Sequence, residues 1–290
     1  MSAEVAGAIA RVRAWREDRR RAGQRVGFVP TMGALHQGHR RLIEVARERS
    51  EAVAVSIFVN PLQFDRKDDL ERYPRTLDAD LKICNELGVD VVFAPTVVEM
   101  YPVEPLCTVT VKRLTDGLCG RFRPGHFDGV ATVVTKLFEI VQPDEAYFGE
   151  KDAQQLAVIR RMVVDLNMPL EIVGVGTVRE DDGLAMSSRN ARLSPEERSK
   201  ATALYRALQE AERAIAGGER NARVVEQRAA AVIPPDASLR LEYLDVVDPV
   251  ELQRVDTIAG PVLVAGALWV GSTRLIDNVT CHPAEAGLHV

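Results

Sequence analysis

Pro30-Thr31-Met32-Gly33-Ala34-Leu35-His36-Gln37-Gly38-His39 joins two segments of different periodicity. Residues 26–29 before it form a short apolar run and read as a buried strand. Residues 40–50 after it carry apolar positions at helical spacing among charges and read as a helix. The two glycines and two histidines therefore fall at a strand-to-helix turn. Such a turn gathers free backbone N–H groups and the positive end of a helix dipole, which suits a phosphate. His36 and His39 are three apart and share one helix face. Their ring donors can follow charge as it develops on that phosphate. Two blander readings fit the same residues. The histidines could be ordinary partly exposed surface residues, or they could bind a metal. The metal needs a third ligand, and no nearby Cys pair or acid at ligand spacing supplies one.

Outward from this turn, strands and helices alternate. Residues 3–22 have Val5, Ile9, Val12 and Trp15 at helical spacing and read as one helix ending in arginines. Residues 52–59 form a nearly continuous apolar run, as a central parallel strand does. Asn60 and Gln63 follow at its C-terminal end, where open α/β sheets bind ligands. They serve equally well as turn and loop caps. Residues 65–75 are highly charged, a lid or a surface loop. A helix over 76–87 leads to a strand over 89–94, and a further strand is expected at 108–112. Arg123 and His126 stand between glycines, where they could meet an anion or merely solvate a loop. After a helix over 128–141, a second strand-to-helix junction carries Gly149-Glu150-Lys151-Asp152. A lysine at a helix start is disfavoured by the dipole, so a bound anion is one reason for it and a surface position the other. A strand over 171–178 precedes a turn with Ser187, Ser188, Arg189 and Asn190, a plausible phosphate grip.

From Ser194 the texture changes. Ser194-Pro195-Glu196-Glu197 is a helix start, and an alanine-rich helix is expected to run to Gly217. A further helix and β segments at 238–247, 262–270 and 273–280 follow, the last two joined by a short hairpin at Gly271-Ser272. The pattern predicts an α/β protein. A Rossmann-like doubly wound parallel sheet occupies 1–183, and a smaller α+β domain with a short antiparallel sheet occupies 184–290.

The 290 residues and 46% hydrophobic content are enough for one large and one small core. A net charge of −5 argues against a general nucleic-acid binder. Four scattered cysteines, none in CxxC spacing, read as reduced thiols of a cytoplasmic protein. The N-terminus lacks a signal peptide's apolar core, and no run is long enough to span a bilayer. Gly174 and Gly176 lack the third glycine of a dinucleotide fingerprint, and there is no P-loop motif.

Together, PTMGALHQGH, SIFVNPLQF, YPRTLDAD, GRFRPGHFDGV, YFGEKDAQQ and GTVREDDGLAMSSRN closely resemble the pantoate–β-alanine ligase (pantothenate synthetase) family, over essentially residues 3–281. The family belongs to the class I adenylate-forming nucleotidyltransferases. Its two ATP signatures resemble the HIGH and KMSKS motifs of class I aminoacyl-tRNA synthetases. Here these are His36-Gln37-Gly38-His39 and Ala185-Met186-Ser187-Ser188-Arg189. The resemblance implies that pantoate is first activated by ATP to pantoyl adenylate and pyrophosphate. β-Alanine then displaces AMP to give pantothenate, for the coenzyme A pathway.

It also implies the site. His39, His36, Lys151, Ser187, Ser188 and Arg189 would be catalytic. ATP would be bound by these and by Pro30, Thr31, Met32, Gly33, Gly38, Gly149, Asp152, Val178 and Met186. Met32, Asn60, Gln63, Gln155, Arg123 and His126 would bind pantoate and β-alanine. Tyr73 would belong to a lid. Magnesium is expected with ATP. Some relatives carry adjacent aspartates after Thr-Leu that are linked with it; here the run is Asp78-Ala79-Asp80, with Asp80 the candidate ligand, directly or through ATP. The family implies a homodimer. Two alternatives stand beside this reading. One is another adenylyl-transfer enzyme of the same superfamily, disfavoured by the long C-terminal domain. The other is a non-catalytic nucleotide-binding protein, disfavoured by intact His36, His39, Lys151, Ser187 and Arg189.

Overall fold

The computed structural model describes residues 2–283. They divide into two compact units. The first holds residues up to 112, 123–150 and 155–178; the second holds 113–122, 151–154 and everything from 179 onward. The last division falls between residues 178 and 179. The two short segments belong with the second unit although they lie within the first in sequence.

The first unit is built on six strands: β1 (Glu4–Ala6), β2 (Val26–Thr31), β3 (Ala52–Ile57), β4 (Val91–Phe93), β5 (Glu145–Gly149) and β6 (Glu171–Val175). Every pairing is parallel, in the order β1-β4-β3-β2-β5-β6. Parallel strands need crossover helices, and these leave both sheet faces covered. The strands are accordingly apolar on both faces: Val26, Phe28, Val29, Val53, Val55, Val91, Val92 and Phe93 are all fully buried. The helix Gln37–Arg49 contributes Ile43 and Ala46 to this core, and the helix His126–Val141 contributes Val130, Val134 and Phe138.

Two expectations change here. Residues 3–22 are not one helix: β1 precedes the helix Ile9–Arg21, and it pairs with β4 at the edge of the sheet. Residues 108–112 form no strand. Their alternation mimics one, but among the described residues they pair with no strand, and Val109 N–H donates instead to Thr132 Oγ1 on the helix His126–Val141 at 3.0 Å.

The second unit carries β7 (Leu239–Val247), β8 (Val262–Val270) and β9 (Thr273–Cys281), antiparallel and in that order. The β8–β9 turn is the expected two-residue hairpin at Gly271-Ser272. The alanine-rich helix is in fact two, Pro195–Lys200 and Ala203–Ala216. Ala203, Ala207, Ala211 and Ala214 are buried along one stripe of the longer one, in a core shared with Val246, Val264 and Leu268. Among the described residues no helix is long and apolar enough to cross a membrane.

A charged network closes the N-terminal end of β5. Glu145 is 3% exposed and accepts from Arg25 at 2.6 Å, from Arg49 at 3.2 Å and from the Tyr147 hydroxyl. Burial works to raise its carboxyl pKa. The hydrogen bonds from Arg49 and Tyr147 and the two guanidinium charges outweigh that and hold it below the usual range. A carboxyl lowered in this way stabilises the fold above its unfolded pKa and loses that contribution as pH falls through the folded one. Glu145→Gln is expected to lower Tm at pH 7 by about 5 °C. Calorimetry as a function of pH should show the gap closing below a pH of about 4.

Candidate functional site

The strand order reverses at β2, whose neighbours β3 and β5 lead to opposite halves of the sheet. In open α/β sheets such a reversal leaves a crevice at the carboxyl ends of the strands. The segment 30–39 leaves β2 at that point. Gly33 (φ +81) and Ala34 (φ +51) bend it left-handed, and the helix Gln37–Arg49 begins at once. His36 is the N-cap residue. Its Nδ1 accepts from Gly38 N–H at 3.1 Å, and its own N–H donates to His39 Nδ1 at 3.3 Å. This is a capping box made of two histidines rather than Ser and Glu. It has a chemical consequence. With each Nδ1 an acceptor, the neutral rings carry their protons on Nε2. The rings lie 4.1 Å apart, tilted by 44°.

The turn's backbone is less available than the sequence suggests. Gly33 N–H is taken by Thr31 Oγ1 at 3.1 Å, and Ala34 and Leu35 N–H by Asp80 at 3.0 and 2.8 Å. With His36 and Gly38 N–H also bonded within the chain, the motif offers imidazole donors in place of a backbone cradle.

Beside it in the first unit, Asn60 is 1% exposed and fully engaged. Its Nδ2 donates to Gln63 Oε1 and Gly129 O, both at 3.1 Å; its Oδ1 accepts from the Tyr101 hydroxyl at 2.9 Å and Leu62 N–H at 3.4 Å. Those are all the hydrogen bonds an amide can make. Asn60 therefore places Gln63 through its own hydrogen bonds. Gln63 Nε2 lies 3.2 Å from Met32 Sδ, so these two candidates do meet. Arg123 and His126 both face the Gln63 carbonyl, at 3.4 and 2.7 Å, and each other at 3.1 Å; Arg123 also pairs with Asp65 at 3.0 Å. Their observed contacts hold the Gln63 turn. Gly129, on the helix His126–Val141, lets that turn approach: a Cβ there would lie 2.3 Å from Leu62 O and 2.7 Å from Gln63 Cα. Tyr73 is buried edge-on against Phe64, at the base of the charged 65–75 segment, which contains the short helix Lys67–Glu71. Gly149 ends β5, paired with Val175, while Gln155 and Val178 are half-buried.

In the second unit, the Lys151 carbonyl accepts from Asn278 Nδ2 at 2.8 Å, and Gln154 donates to Leu114 O and Gly117 O at 2.8 and 2.9 Å. These bonds tie the Lys151–Gln154 turn to β9 and to the 113–122 segment. Lys151 Nζ stands 3.8 Å from the Asp152 carboxylate. Ser187 caps the 3-10 turn Ser188–Arg192, accepting from Arg189 N–H at 3.2 Å. Met186, Ser187, Ser188 and Arg189 are half-buried at the end of a braced hairpin. Arg198 bonds Glu180 and Asp182 at 2.6 Å each, Arg179 bonds the buried Asp277 at 2.6 Å, and Asn190 Nδ2 donates to Glu180 and Ala185 O at 3.1 Å.

Asp80 is the metal ligand the resemblance proposes. It is 1% exposed, and its two oxygens receive the Ala34 and Leu35 N–H groups and the Thr76 hydroxyl. Those contacts do not suit a metal ligand. Among the described residues no group of three or more His, Cys, Asp or Glu is arranged to hold a metal ion.

Residues 4–280 match the family model described as pantoate-beta-alanine ligase. The chain is 50% identical over 275 residues to the pantothenate synthetase of Thermoanaerobacter pseudethanolicus, covering 95% of this chain and 97% of that one. It is 53% identical over 271 residues to that of Heliobacterium modesticaldum, covering 93% and 96%. The crystal structure of pantothenate synthetase from Thermus thermophilus superposes with a TM-score of 0.91 at 46% identity, covering 97% of this chain and 100% of that one. A pantoate-beta-alanine ligase from Francisella tularensis, complexed with beta-gamma ATP and beta-alanine, gives 0.80 at 34%, covering 96% and 97%. The chain belongs to the pantoate–β-alanine ligase family.

Proposed function

We propose that this protein condenses pantoate with β-alanine, using ATP, and forms pantothenate, AMP and pyrophosphate. The observation that carries this beyond family membership is the histidine capping box at the strand-order reversal, which fixes two Nε2–H donors on one helix start. In the first step a pantoate carboxylate oxygen attacks the α-phosphorus. The new O–P bond forms as the bond to the β-phosphate oxygen breaks and pyrophosphate leaves. Negative charge grows on the phosphates in that transition state. His36 and His39, as neutral donors, and Lys151, as a cation, stabilise it. His39 is also the proton donor if the leaving group takes one. Ser187, Ser188 and Arg189 bind the phosphates, with Gly149, Asp152, Val178 and Met186 along the nucleotide and Pro30, Thr31, Gly33 and Gly38 shaping the first motif.

In the second step the β-alanine amine attacks the acyl carbon. A C–N bond forms, the acyl–phosphate C–O bond breaks, AMP leaves and the nitrogen loses a proton. Gln63 keeps one N–H and one lone pair beyond its contacts to Met32 and Asn60, and with Gln155 it orients pantoate by hydrogen bonds. Met32 packs on the gem-dimethyl group. Arg123 and His126 act through the Gln63 turn. The 65–75 segment, with Tyr73, shields the acyl adenylate from water. Magnesium enters bound to ATP, and no step is assigned to it. The setting proposed is cytoplasmic and homodimeric.

Two experiments test these roles. Pantoate-dependent ATP–pyrophosphate exchange should be present in the wild type and fall about 100-fold or more in His39→Ala. An unchanged rate would make the histidine structural only. In Gly129→Ala the added methyl displaces the Gln63 turn, so KM for pantoate should rise about tenfold or more while the ATP dependence stays close to wild type. Equal loss for both substrates would mean that Gln63 does not address pantoate.

A further inference from the structure

The left-handed bend at Gly33 and Ala34 is not self-sustaining. A non-glycine residue at φ +51 costs on the order of 1 kcal/mol or more, and something must hold it. The holder comes from elsewhere in the chain. Asp80 lies on the helix Leu77–Glu86, and its Oδ2 and Oδ1 accept from the consecutive Ala34 and Leu35 N–H groups at 3.0 and 2.8 Å. Thr76 Oγ1, before that helix, reaches both oxygens at 3.3 and 3.2 Å and so fixes the carboxylate's rotation. The fit is close. A Cβ on Gly33 would stand 2.9 Å from Asp80 Oδ2 and 3.0 Å from Ile57 Cγ2. The next residue after the clamped pair is His36, the first member of the capping box.

We infer that Asp80 is a positioning residue for adenylation. Its carboxylate sets the bend that delivers the His36 and His39 rings to the reacting phosphates. The inference rests on the proposal that the 30–39 segment binds the nucleotide. It assigns Asp80 a role through the backbone in place of one through a metal. The acceptor pattern matters as well as the shape, because the two adjacent N–H donors meet different oxygens of one carboxylate. An asparagine can face only one of them correctly, and its amide N–H₂ would meet the other.

The test is Asp80→Asn, nearly isosteric, with Asp80→Ala alongside it and His39→Ala as the reference. Pantoate-dependent exchange in Asp80→Asn should fall about 100-fold in kcat, while KM for pantoate stays within about threefold and thermal unfolding remains cooperative. Nitrogen-15 shifts of the histidine rings should lose the signature of a bonded Nδ1 in the variant, a change that a general strut for the fold would not produce. Three results would overturn the inference: exchange within about threefold of wild type, recovery of the rate on raising magnesium, or unperturbed ring shifts. If His39→Ala is also fully active, the nucleotide assignment fails instead. If His39→Ala is impaired and Asp80→Asn is not, only the role of Asp80 fails.

Discussion

The capping box at His36 and His39 couples secondary structure to chemistry, and much of the first unit is arranged around it. A helix start leaves N–H groups without partners, and small polar side chains usually satisfy them. Here imidazoles do so. The same hydrogen bonds that begin the helix therefore fix which ring nitrogen keeps its proton. Protonating either Nδ1 would remove an acceptor that the helix start uses. The rings' direction and tautomer thus follow from one local constraint, and the sheet places that constraint where β2 meets its two neighbours.

A second design recurs around it: groups that look ready for a ligand face their own backbone. Asp80 accepts from the 34–35 N–H groups, Asn60 is saturated by Gln63, Gly129, Tyr101 and Leu62, and Arg123 and His126 grip the Gln63 carbonyl. Side chains that meet a substrate must be held within fractions of an ångström, and polar neighbours with no spare bonds do this well.

This is also where reading the sequence reached its limit. The parallel sheet, the hairpin at Gly271-Ser272 and the histidine turn were legible because apolar runs, turn residues and a three-residue spacing are local signals. Edge strand β1 was not, since three residues carry no periodicity and its partner β4 lies far along the chain. Residues 108–112 mislead for the opposite reason: their alternation is real, but Val109 N–H goes to the Thr132 hydroxyl and not to a neighbouring strand. The polar residues proposed for the site stand out in the sequence as types, yet their partners are hidden there. Asp80 meets Leu35 across 45 residues, and His126 meets Gln63 across 63. No local pattern distinguishes a carboxylate that binds a metal from one that binds a turn. Gly129 is similar, because only the packed turn explains why a side chain is excluded there.

The bracing of the serine–arginine hairpin has a consequence for affinity. A loop that closes on a ligand loses backbone freedom at that moment, at about 1–2 kcal/mol per residue ordered. Arg179, Glu180 and Asp182 are already tied to Asp277 and Arg198, and Arg179 also lies over the Tyr205 ring at 4.5 Å. Their ordering belongs to folding of the second unit. On the proposal that the turn at Ser187 takes the phosphates, the stem adds no ordering cost on binding, so more of the contact energy appears as affinity. On the same proposal, a hairpin with these serines and arginine on an unbraced stem would bind phosphate more weakly.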